Sequence, residues 1–129
     1  MKRILVVEDD NSLSVLLRLI MKVQQDDWDV SSAATGFEAL AQVEKFHPDL
    51  ILLDIMMPEM DGLEVARRLK NDERYKDQKI VILSALSDPE TQQKAMDAGV
   101  MEYWTKPISP DDLREGMLRV LGSDAVELL

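Results

Sequence analysis

The sequence predicts an α/β domain in which a parallel sheet is covered by helices on both faces, a three-layer sandwich. Two observations lead there. Three short runs, Ile4 to Val7, Leu50 to Leu53 and Ile80 to Leu83, are apolar at every position and not at alternate ones. Strands buried on both faces read this way, as in parallel sheets. Each run is followed by a stretch with helical spacing, and alternation of this kind puts helices on both faces through right-handed crossovers. The length, 129 residues with 46% hydrophobic and 31% charged, suits one ordinary domain.

The elements follow in order. Ile4 to Val7 is the first strand. Leu13, Leu16, Leu17, Ile20 and Met21 recur at helical spacing, so residues 11–24 read as an amphipathic helix. Trp28 to Ala33 is a weaker strand. Thr35-Gly36-Phe37-Glu38 fits a capping box, opening a helix through Ala39, Leu40 and Val43 that stops before Pro48. Leu50 to Leu53 is the third strand. A loop, Met56 to Gly62, leads into a helix carrying Val65, Ala66 and Leu69. Ile80 to Leu83 is the fourth strand, ending at Ser84. Asp88-Pro89 is an N-cap with proline at the first helical position, and Gly99 is a natural stop. Val100 to Trp104 is the fifth strand, Lys106-Pro107 a turn, and Ser109 to Asp112 opens a last helix through Leu113, Met117, Val120 and Leu121. Five strands thus alternate with five helices over residues 1–122. Residues 123–129 read as a tail or the start of a linker.

Composition excludes several chemistries. Cys is absent, and His47 is the only histidine, which removes thiolate and His-rich metal sites and Ser-His-Asp triads. No apolar run approaches the ~20 residues that span a bilayer, and Met1-Lys2-Arg3 leads into only four apolar residues, too few for a signal peptide. The reading is a cytoplasmic protein away from membranes. The formal net charge of -10 repels phosphate backbones and argues against direct nucleic-acid binding. Most surface acids simply keep such a chain soluble.

In open parallel sheets, ligands bind beyond the carboxyl ends of the strands. There the sequence places Glu8, Asp9 and Asp10, then Asp54, then Ser84, then Lys106. Two like charges ~4 Å apart repel by about 4 kcal/mol at an effective dielectric of about 20. Clustered Glu8, Asp9 and Asp54 therefore require a proton or a cation among them. Oxygen ligands with open positions suit Mg²⁺, which likes to share a phosphate. Ser84 and Lys106 would meet phosphoryl oxygens, and Asp54 would be the nucleophile of an aspartyl-phosphate reaction. Taken singly, each group has a plainer reading. Asp9 or Asp10 can cap the first helix, Ser84 can be a turn residue, Lys106 a solvated lysine, Asp61-Gly62 a helix start, and His47 a helix-end residue. An EF-hand fails because Met57 stands where the first acidic ligand belongs. The joint occurrence at four strand ends is what the plainer readings leave unexplained.

The motifs Ile4 to Asp10, Leu50 to Gly62, Ile82 to Ala85 and Tyr103 to Pro107 together make the chain resemble a bacterial two-component response-regulator receiver domain, of the chemotaxis-regulator-like kind, over roughly residues 2–121. The resemblance implies a flavodoxin-like sheet of order 2-1-3-4-5. It implies Asp54 as phosphoacceptor from a sensor histidine kinase or phosphotransfer protein. Glu8, Asp9, Asp54 and the backbone carbonyl of Met56 would hold Mg²⁺, with Asp9 ligating directly and Glu8 through water. Ser84 would be the switch hydroxyl, Lys106 the site lysine before a cis proline peptide, and Tyr103 the aromatic that turns inward on activation. Glu8 stands where Asp is usual and Ser84 where Thr is usual.

Phosphorylation would draw Ser84 and Lys106 to the phosphoryl oxygens, and the space left by Ser84 would admit Tyr103. The face of the fourth helix, fifth strand and fifth helix, about residues 89–121, would then change to control a partner or a missing output domain. Homodimerisation through that face is common in the family. Met56 and Leu86 would flank the phosphoryl group and, being apolar, slow its hydrolysis. Under this reading the domain is a switch and not a turnover enzyme. Two other readings stand beside it. A Mg²⁺-dependent phosphatase-like enzyme wants an acid at position 56, where Met stands. A never-phosphorylated interaction module predicts an eroded acidic pocket.

Overall fold

The computed structural model describes residues 1–24 and 28–122. The expected tail, 123–129, lies outside the described residues. The strands are β1 (Arg3–Val7), β2 (Asp29–Ala33), β3 (Leu50–Leu53), β4 (Lys79–Ser84) and β5 (Glu102–Thr105). The helices are α1 (Asn11–Gln24), α2 (Gly36–Phe46), α3 (Gly62–Lys70), α4 (Pro89–Asp97) and α5 (Pro110–Leu121). All strand pairs are parallel and the order is β2-β1-β3-β4-β5, as the resemblance implied.

Alternate residues of the central strands feed two cores. Leu5, Val7, Ile51, Leu53, Ile80 and Ile82 pack with Ala39 and Val43 of α2, Val65, Ala66 and Leu69 of α3, and Ala95 of α4. Ile4, Val6, Leu50, Leu52, Val81 and Leu83 pack with Leu17 and Met21 of α1 and with Leu113, Met117 and Val120 of α5. This is why those strands are apolar throughout: neither face reaches water. Burying one such side chain contributes roughly 1.5–3 kcal/mol.

The caps fall where the sequence placed them. Asp61, Asp88 and Ser109 accept from the backbone N–H three residues on. Thr35 accepts from Glu38 N at 3.1 Å, but Glu38 reaches back to Ala34 N (2.9 Å), one residue earlier than the usual box. His47 closes α2 in the left-handed region, at φ 52. Two strands differ from expectation. β2 begins at Asp29, with Trp28 buried just before it. β5 runs from Glu102, not from Val100, because the Val100 N–H is used by Ala95 O at the end of α4 (3.3 Å) and contact with β4 begins at Met101 N to Ile80 O (2.7 Å).

Candidate functional site

Sheet register brings the predicted residues to one edge. Val7 pairs with Leu53 and Leu53 with Ile82, while Ser84 pairs with Thr105. Beyond the strands the backbone keeps bonding: Glu8 N to Ala33 O (3.0 Å), Asp54 N to Val7 O (3.0 Å) and Lys106 N to Ser84 O (2.8 Å). Each functional side chain therefore springs from a backbone already tied to its neighbour.

Glu8, Asp54 and Ser84 are buried, whereas Asp9 is exposed. The ammonium of Lys106 lies 2.6 Å from Glu8 Oε1 and 3.1 Å from Asp54 Oδ2. A cation does sit between these two carboxylates, as their mutual repulsion requires, and it is the lysine's own. Burial pushes the Glu8 carboxyl above its ordinary value despite the Lys106 bond. Burial works against a charged Lys106, but Glu8 and Asp54 outweigh it and hold the proton more tightly than usual. One oxygen from each of Glu8, Asp9 and Asp54 lies within 4.8 Å of the others. That hard, all-oxygen donor set fits a small divalent cation such as Mg²⁺ and would not suit a soft metal.

The surrounding loops are tightly held. Met56 N donates to Asp54 Oδ1 at 3.3 Å, and Gly62 N to Ile55 O at 3.0 Å. A Cβ on Gly62 would overlap the carbonyl oxygen of Asp54, so only glycine lets α3 begin this close to Asp54. The Lys106–Pro107 peptide is cis, as the resemblance implied. Asp10 takes the helix-capping role: its Oδ1 accepts from Leu13 N (3.2 Å), and its own N–H bonds Glu8 Oε2 (3.2 Å). Asp9 is thereby left for the pocket.

Two details add to the sequence reading. Tyr103 is turned inward, and the Ser84 hydroxyl accepts from the Leu86 N–H (3.3 Å). Its phenol packs against the core, donates to Leu86 O at 2.5 Å, and is pushed above its ordinary pKa chiefly by burial. The second concerns Leu86, which leans onto the α2–α3–α4 core while Met56 is exposed, so the two presumed flanking side chains are not equivalent. Sequence reasoning missed the main chain of Leu86 as the junction of Ser84 and Tyr103. Its only signal was its place two residues past Ser84, because a main-chain role leaves no mark on side-chain type.

Residues 4–117 match the family model described as response regulator receiver domain. The DNA-binding dual master transcriptional regulator RpaA of Synechocystis is 36% identical over 120 residues, covering 93% of this chain and 48% of that protein. The cyclic di-GMP phosphodiesterase response regulator RpfG of Xanthomonas campestris is 36% identical over 111 residues, covering 86% of this chain and 29% of that protein. The chain thus spans about half the length of the first of these relatives and less of the second. Among solved structures, the chemotaxis protein CheY4 of Vibrio cholerae superposes with a TM-score of 0.85 at 31% identity, over 93% of this chain and 98% of that one.

Proposed function

The chain belongs to the response regulator receiver domain family, and from that premise we propose that Asp54 is its phosphoacceptor. The observation that supports this best is the buried Glu8–Lys106–Asp54 contact with Asp9 beside it. Asp54 would attack the phosphorus of a phosphohistidine on a sensor histidine kinase or phosphotransfer protein. An Asp54 O–P bond forms, the histidine N–P bond breaks, and the freed imidazole takes up a proton. Glu8, Asp9, Asp54 and the Met56 backbone carbonyl would hold a Mg²⁺ ion, whose chemistry here is to neutralise carboxylate and phosphoryl charge. Lys106, already at Asp54, moves from carboxylate to phosphoryl oxygen, and the Ser84 hydroxyl takes another.

The phosphorylated side chain carries roughly two negative charges and more acceptor oxygens than the carboxylate. Drawing Ser84 onto it releases the Leu86 N–H, and Leu86 also holds Tyr103. That chain of bonds runs from the acceptor to the face of α4, β5 and α5, which would dock on a partner, an output domain or a second copy. Output follows the attached or docking partner: DNA binding in the case of RpaA, phosphodiesterase in that of RpfG. Among the described residues no helix is long and apolar enough to cross a membrane, which agrees with a cytoplasmic role.

The test is an intact-mass spectrum after incubation with Mg²⁺ and acetyl phosphate. The expected result is the gain of one phosphoryl group, lost in Asp54→Asn and without Mg²⁺. No gain, with Mg²⁺ binding verified separately, would favour a non-phosphorylated interaction module. Phosphate release without mass gain would favour a phosphatase-like enzyme.

A further inference from the structure

At the end of the molecule away from Asp54, α3 and α4 converge on an open groove of about 560 Å³. Arg67, Lys70, Lys76 and Lys94 line it, with Asp97 as the one acid among its lining residues. In a chain of net charge -10, the lining itself holds four cations to one acid. Part of it has a plain cause. Asn71 and Ala98, which cap α3 and α4, line the same groove, and cations complement helix C-termini. Two helix ends offset about one positive charge in all, since each carries roughly half a negative charge. Among the lining residues alone, four cations against one acid exceed that by about two, before their glutamate partners outside the lining are counted.

Three of the four cations are paired outside the groove, and only through exposed contacts. Arg67, Lys76 and Lys94 meet Glu64, Glu73 and Glu90 at 3.9, 3.3 and 3.4 Å. Those partners lie outside the groove lining, and exposed pairs of this kind are weak and exchangeable. Lys70 differs from the other three. It is half-buried, it makes no ion pair among the described residues, and its ammonium is held by the carbonyl oxygens of Lys76 (3.1 Å) and Gln78 (2.5 Å). Two of its three N–H donors are used, which leaves one for a ligand. Burial lowers its pKa, with the nearby Asp77 carboxylate working the other way.

We propose that this groove is a second binding site, for a compact and multiply phosphorylated small molecule. Its size suits such a ligand. A fixed lysine ammonium with mobile cations on both helices suits clustered phosphate oxygens. No aromatic side chain lines it, so recognition rests on phosphate and not on a stacked base. The proposal is independent of Asp54 chemistry.

The experiment is a titration of the intact protein with inorganic pyrophosphate in low-salt, Mg²⁺-free buffer, read by backbone amide shifts. The expected result is saturable one-to-one binding, with shifts clustered at residues 67–76 and 94–99. It weakens with added salt and falls about tenfold or more in Arg67→Gln/Lys94→Gln, a pair of exposed changes whose folding the same spectrum checks. Shifts centred on Glu8 and Asp54, or spread without saturation, would overturn it. So would unchanged affinity in the double variant. Tighter binding of a glutamate decapeptide than of pyrophosphate would replace a phosphate site with a protein-docking one.

Discussion

The two ends of the sheet handle charge in opposite ways. At the carboxyl end, Glu8, Asp54 and Lys106 are largely withdrawn from water, and each charge has a fixed partner at 2.6–3.1 Å. At the other end, Arg67, Lys76 and Lys94 keep about half their side-chain surface exposed and pair at 3.3–3.9 Å. Like-charge repulsion between Glu8 and Asp54 is strong because both side chains are buried, so a cation must stay in place. In the groove, water and salt screen the same forces and the cations remain available. Buried charge makes a switch that responds to a change of one or two charges. Exposed charge makes at most a capture surface.

The comparison can be broken at its strongest point. Lys106→Met leaves two buried carboxylates facing each other, and breaking a buried pair this way costs about 3 kcal/mol at neutral pH. Urea denaturation measures it, and a loss comparable with an exposed pair would abolish the distinction. The pH dependence sharpens the test. Lys106 is held protonated above its usual 10.5. Its stabilising contribution is therefore complete below that value and is lost as pH rises through the higher folded-state value. Wild type should weaken there more than the variant does. In Lys106→Met the opposite limb appears. Glu8 titrates above 4.5 even with its lysine present, so protonation in the fold should return stability to the variant as pH falls towards that range.

A smaller loss is expected from Gly62→Ala, about 2 kcal/mol, because the added methyl meets the Asp54 carbonyl. Thermal unfolding reads it, and the phosphorylation yield should drop with it as the acceptor loop shifts. Smaller again is the effect on phosphoryl lifetime. Met56→Asn, at an exposed position beside Asp54, should hasten decay by about tenfold, or roughly 1.4 kcal/mol in the barrier. Leu86→Glu should do less because that side chain leans into the core. Equal effects in a phosphate-release assay would show that the two side chains flank the acceptor symmetrically after all. Least of all, Arg67→Gln/Lys94→Gln should change the unfolding free energy by no more than about 0.5 kcal/mol, whatever it does to anion binding. A larger loss would mean that the groove cations are structural.

Much of this was legible in the chain because the information is local. Ile4 to Val7 and Leu50 to Leu53 announce themselves by being apolar on every residue, and only a doubly covered sheet rewards that. Glu8 and Asp54 follow those runs directly, so naming the strands named the acids. Other features were legible only in part. Asp9 and Asp10 are chemically alike neighbours, and which one caps α1 depends on the angle at which the chain leaves β1. The start of β5 moved from Val100 to Glu102 because a main-chain bond to Ala95 competed for the Val100 N–H, a competition invisible in side-chain type.

The sequence by itself determined the number and order of the strands, the caps of α2 to α5 and the identities of the acidic and basic site residues, since these depend on periodicity and on groups adjacent along the chain. Only the tertiary structure decided what happens across it. It set the lysine from position 106 between carboxylates from positions 8 and 54, and turned Tyr103 inward onto Leu86. It also gathered cations from two helices and a turn into one groove. The reason is the range of the forces. Hydrogen bonds within a turn and apolar periodicity act between near neighbours in sequence. Desolvation and charge pairing act between near neighbours in space, and those are chosen by how the helices pack on the sheet.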